Sequence, residues 1–100
     1  MVRVTLVRDG SPATGWWHTV KAEGHAIGSV AMCAAVSTLM QTIESYLRLK
    51  HAAISKNVIE PGNCELRFSG NTAAFEIAYA GFLGLQGADP ELVQVEVRKK

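Results

Sequence analysis

Cys33 and His25 are the two residues of this sequence whose types and spacing could carry covalent chemistry. Cys33 is the fifth residue from Ser29, where a long helix is predicted to begin, so its thiol sits at or just past the first turn. There the helix dipole and unsatisfied amides favour negative charge, the setting in which thiols become nucleophilic thiolates. His25 stands eight residues earlier, in a short segment that can fold back on the helix start. An imidazole touching the thiol would take its proton and later protonate a leaving amine, which is the chemistry of a cysteine hydrolase. Spacing alone leaves the structural alternative standing, because free cysteine usually behaves as a small buried hydrophobe.

The remaining chemistry-bearing residues read as structure. Cys64 alternates in register with Leu66 and Phe68, the pattern of a core strand. His18 lies mid-strand beside two tryptophans and reads as a packed sheet residue. His51, at the far end of the helix, suits the negative end of its dipole. Trp16 and Trp17 are expected to anchor a small core or a dimer face rather than to stack on a ligand. Ser37, four residues after Cys33 on the same helix side, is by itself an ordinary helix serine. There is no CxxC and no Cys/His cluster at zinc spacing. Neither a metal nor a cofactor is expected.

The elements that must hold these side chains follow from periodicity. Val2, Val4 and Leu6 alternate with Arg3, Thr5 and Val7, which predicts a strand. Asp9-Gly10 predicts a turn, prolonged into a loop by Ser11-Pro12-Ala13-Thr14-Gly15. A second strand is predicted over 16–23, and Gly24-His25-Ala26-Ile27-Gly28 leaves it as a short segment. A helix is predicted over 29–50, with Met32, Val36, Leu39, Met40, Ile43 and Leu47 on one face and Ser29 as N-cap. Residues 54–59 predict a strand weakened by Ser55-Lys56-Asn57, Pro61-Gly62 a turn, and Cys64 to Ser69 a firmer strand. A second helix is predicted over 72–85, capped by Asn71 or Ser69, with Phe75, Ala78, Tyr79, Phe82 and Leu85 as its stripe. Gly81 and Gly84 each cost that helix about 1 kcal/mol relative to alanine and would permit close packing. Gly87-Ala88-Asp89-Pro90 ends it, and a last strand is predicted over 92–98. The order β-β-α-β(β)-α-β predicts an α+β fold: a mixed or antiparallel sheet of four to five strands with two helices packed on it. Arg98-Lys99-Lys100 reads as a solvated end.

Composition bounds the function. One hundred residues predict a single domain over 1–100. Ten Lys+Arg against nine Asp+Glu give a net charge of +1, without the cationic excess of a basic nucleic-acid-binding face or an electrostatic membrane anchor. The longest apolar run is 30–36, far short of the roughly twenty residues that span a bilayer. The charged, alternating N-terminal residues do not form a signal peptide, so a cytoplasmic protein with reduced thiols is expected. Near-neutral charge provides little colloidal repulsion against self-association.

Two local words sharpen the reading. Gly24-His25-Ala26 followed by Cys33-Ala34-Ala35-Val36-Ser37 resembles the ribosomal-processing cysteine protease family, Prp or YsxB-like. The specific words are confined to residues 24–37, and the likeness in length and element order extends over the whole chain. The resemblance implies a small cytoplasmic homodimer that removes a short N-terminal extension from a large-subunit ribosomal protein, with no direct contact to nucleic acid or membrane. It implies that Cys33 is the nucleophile and His25 the base, that Gly24 lets the backbone approach the site, and that Ser37 has a supporting role. Two departures stand beside it. The loop from Ala26 to Met32 is shorter than the family's, and Val30 occupies a position where the family commonly has an aspartate. They keep a second expectation open: a non-catalytic or weakly catalytic dimeric member that binds a peptide.

Overall fold

The structure is a computed structural model describing residues 1–99; Lys100 of the expected solvated end lies outside the described residues. Its elements are β1 (Val2–Ser11), β2 (Gly15–Glu23), α1 (Val30–Leu49), β3 (Ile54–Glu60), β4 (Asn63–Ser69), α2 (Thr72–Ala88) and β5 (Val93–Lys99). The five strands form one sheet in the order β3-β4-β2-β1-β5. Neighbouring pairs are antiparallel except β1 with β5, which is parallel, so the sheet is mixed. This is the α+β class and the element order that periodicity predicts.

The period-two pattern has the expected consequence. Val2, Val4 and Leu6 of β1, Val20 and Ala22 of β2, and Cys64, Leu66 and Phe68 of β4 share one buried face. Met32, Val36, Met40, Ile43 and Leu47 of α1 cover that face together with Ala74, Phe75, Ala78 and Phe82 of α2. Ser29 caps α1 as predicted, its hydroxyl accepting the Met32 amide at 3.1 Å. Gly81 lets the helices approach, since a Cβ there would stand 2.7 Å from Leu39 Cδ2. The opposite sheet face carries ion pairs, among them Lys56–Glu65 at 3.0 Å and Arg67–Asp9 at 3.1 Å.

Several expectations need correction. The first strand does not stop at Asp9-Gly10: β1 and β2 pair as far as Ser11 opposite Gly15, and the reversal falls at residues 12–14. Gly10, at φ +105°, is absorbed into the ladder opposite Trp16. The second helix runs three residues past Leu85, to Ala88. Asn71 takes the N-cap position but makes no side-chain capping bond; it sits in the left-handed region and donates to the Ser69 carbonyl. The weak strand at 54–60 forms, with an irregularity between Ile54 and Lys56. Trp16 and Trp17 are half-exposed rather than core anchors, and each carries a guanidinium: Arg8 over Trp16 at 4.4 Å and Arg67 over Trp17 at 5.2 Å.

His18 is fully buried between Phe68 and Phe75, with ring centroids 5.5 and 4.6 Å away. Its Nδ1–H donates to the Gly70 carbonyl at 2.7 Å, while Nε2 is buried without a partner. Burial, aided by Arg8, holds its pKa below the ordinary 6.5, against the opposing pull of the Gly70 bond and Asp9. The folded state therefore resists a proton that the unfolded chain accepts. The His18 contribution to stability is expected to be level well above pH 6.5, to fall as pH drops through and below it, and to flatten once the folded histidine also protonates. Urea midpoints measured between pH 8 and 5 in the unmodified chain and in His18→Gln check this. An equal slope in both assigns the pH dependence elsewhere.

Candidate functional site

The segment between β2 and α1 is tied down through Gly24, His25, Ala26 and Ser29, with Ile27 and Gly28 exposed between them. Gly24 has φ +97°, and a side chain there would run into the Met1 carbonyl. Its amide donates to the Gly62 carbonyl at 2.9 Å, joining this segment to the turn between β3 and β4. The Met1 nitrogen donates to the His25 carbonyl at 2.7 Å. Ala26 is buried and plugs the segment into the core, and its carbonyl accepts the Ser29 amide at 3.0 Å. The chain then enters α1 through the Ser29 cap.

This path sets two side chains on one opening. The Cys33 thiol is half-buried and donates to the Ala26 carbonyl at 3.7 Å. His25 is exposed, and its ring lies on Gly62: a Cβ built there would stand 2.6 Å from Cε1. Among the described residues no hydrogen bond links the imidazole to the thiol. Both line a cleft of about 290 Å³, together with Gly24, Ser37, Val30 and Glu60. The four positions singled out by the two sequence words are thus on one surface. Val30, 87% exposed, presents an apolar side chain to it.

The helix start has a limited supply of donors. The Met32 amide is taken by the Ser29 hydroxyl, and the Cys33 amide by the Ser29 carbonyl at 3.2 Å. The amides of Val30 and Ala31 remain at the positive end of α1 without an intrahelical acceptor.

Cys64, whose alternation with Leu66 and Phe68 predicts a core strand residue, is 4% exposed, and it also forms part of the cleft wall. Burial pushes its thiol pKa up, outweighing the hydrogen bond it donates to the Glu60 carbonyl at 3.5 Å. His18 and His51 are not at the cleft; His51 is exposed, just beyond the end of α1, with φ +53°. Sequence reasoning missed the contribution of the β3–β4 turn. Glu60, Pro61, Gly62 and Asn63 form the cleft's second wall. The Pro61-Gly62 pair signalled a turn, but only the pairing of Glu23 with Asn63 brings that turn beside His25.

No protein-family model matches the chain, and no curated protein matches it in sequence. Solved structures match its fold. SMU.848 from Streptococcus mutans superposes with a TM-score of 0.72 at 23% identity, over 100% of this chain and 99% of that one. The essential ribosomal processing protease Prp from S. aureus, in complex with a substrate peptide, gives 0.69 at 16% identity, over 97% and 99%. The same protease with a covalently linked product peptide gives 0.66 at 17% identity, over 97% and 99%. At these identities the likeness establishes a shared fold.

Proposed function

We propose that the chain is a cysteine endopeptidase, cytoplasmic and dimeric, that trims the N-terminal segment of a large-subunit ribosomal protein. One observation carries the reading: Gly24, His25, Cys33 and Ser37 line a single cleft, with Cys33 at the start of a capped helix. The shared fold with a ribosomal processing protease supports the substrate class. Pairing of two copies is supported by α2, whose one charged residue is Glu76 and which leaves Ile77, Tyr79 and Leu83 exposed.

In the reaction, His25 takes the Cys33 proton, and the thiolate sulfur bonds to the scissile carbonyl carbon. The tetrahedral oxyanion faces the positive end of α1, where the Val30 and Ala31 amides are available. The C–N bond breaks as the imidazolium protonates the departing amine, leaving a thioester on Cys33. Water, deprotonated by His25, then attacks the thioester and releases the acid. The thiol must first leave the Ala26 carbonyl, so the site completes itself when peptide enters.

The test is a time course by mass spectrometry with a synthetic N-terminal segment of a large-subunit ribosomal protein. The expected result is two fragments and a transient acyl adduct on Cys33. Peptide that binds and is returned intact, with no adduct, overturns hydrolysis and favours the peptide-binding alternative.

A further inference from the structure

We infer that Gly62, in the turn between β3 and β4, is the positioning residue for His25, acting as the platform on which the imidazole rests. The inference builds on the peptidase reading and supplies what that reading lacks, a partner that orients the base. His25 is exposed, so burial does not fix its rotamer. No carboxylate hydrogen-bonds to its ring among the described residues; Val30 is apolar, and Glu60 lines the cleft without such a bond. What meets the ring is the bare face of Gly62. A Cβ there would overlap the imidazole, 2.6 Å from Cε1 and 3.2 Å from Cδ2. The same glycine's carbonyl accepts the Gly24 amide, so platform and histidine-bearing segment are fastened one residue from His25. The Met1 bond to the His25 carbonyl holds the other side. The ring is therefore placed by contact with a peptide surface and by backbone bonds.

Gly62 also has φ +76°, so any L-residue there strains the backbone as well as displacing the ring. The two effects are separable because Gly15 has φ +86° with nothing within 4 Å of a Cβ, at the opposite end of β2. Gly15→Ala carries the backbone strain alone.

The experiment compares Gly62→Ala with Gly15→Ala for peptide cleavage, and reads the ring directly by NMR. In the unmodified chain, nuclear Overhauser contacts are expected between the Gly62 Hα protons and the His25 ring protons. Gly62→Ala is expected to lower kcat roughly 10- to 100-fold, the usual effect of a misplaced catalytic group, with KM within about twofold. Gly15→Ala should keep the unmodified kcat with a similar shift in unfolding midpoint. Equal kcat in all three proteins, or equal loss in both variants, overturns the inference. So does the absence of the Gly62–His25 contact in the unmodified chain, a readout that stands even if Gly62→Ala does not fold. If the unmodified chain cuts no peptide while the contact is present, the peptidase reading fails and the placement of the ring by Gly62 stands.

Discussion

Cys33→Ala is expected to lower peptide cleavage by at least about 10³-fold while the fold persists. The sulfur forms the bond that replaces the peptide C–N bond, and no neighbouring group supplies that electron pair. Ser37 lies a full turn further along α1, and its hydroxyl is a far weaker acid than a thiol and so a far poorer source of an anionic nucleophile. The fold should tolerate the change. Cys33 is half-buried, alanine is the best helix former, and the one side-chain bond lost is the long contact to the Ala26 carbonyl. The second thiol in the cleft does not substitute for the first. Cys64 is buried, and its raised pKa keeps it protonated at neutral pH. Limited alkylation followed by peptide mapping should therefore label Cys33 ahead of Cys64, and the same treatment should stop cleavage. Cleavage that survives Cys33→Ala with an unchanged rate assigns the chemistry to another group.

The chemistry-bearing half of this site was legible because it is local. Cys33 and Ser37 are one turn apart on a helix whose apolar spacing and Ser29 cap are plain in the sequence, and His25 is a few residues upstream of that cap. The second wall was not legible. Gly62 comes beside His25 only because β4 inserts between β3 and β2, which pairs Glu23 with Asn63. Sheet order is a non-local property, and no residue near Pro61-Gly62 encodes it. The core-anchor half of the expectation for the tryptophans fails for a related reason. Alternation places Trp16 and Trp17 on opposite faces, but it does not reveal that Arg8 and Arg67 stand ready to cover them. The predicted end of the second helix falls short because Gly87-Ala88-Asp89-Pro90 reads as a stop from its first residue, whereas the helix runs through Gly87 to Ala88 and is capped at Asp89, just ahead of the proline. Gly81 is offset by tight packing on Leu39, whereas Gly84, with nothing near it, is carried by the helix on either side.

Phe68→Ala is expected to destabilise the fold by about 4 kcal/mol, the sum of lost transfer energy and an unfilled cavity. Phe68 is wholly buried on β4, opposite His18 of β2 and Ile54 of β3, with the two helices above it. Domains of this size hold about 5–15 kcal/mol in total, so the variant should remain folded with a urea midpoint lower by roughly 2 M. The cavity opens beside the buried His18 ring, 5.5 Å from the lost phenyl centroid. Water entering it would reach Nε2, which has no partner in the intact core. That hydration relieves part of the penalty for protonating His18, so the loss of stability at low pH should be shallower in Phe68→Ala. Cleavage per folded molecule should be unchanged, because the strand divides its duties along its length. Its first residues, Asn63 and Cys64, wall the cleft, while Phe68 near its far end fills the core. Urea titrations at two pH values, each paired with a cleavage rate below the midpoint, separate the two roles. A rate that falls in step with stability would show that core and cleft are coupled through β4.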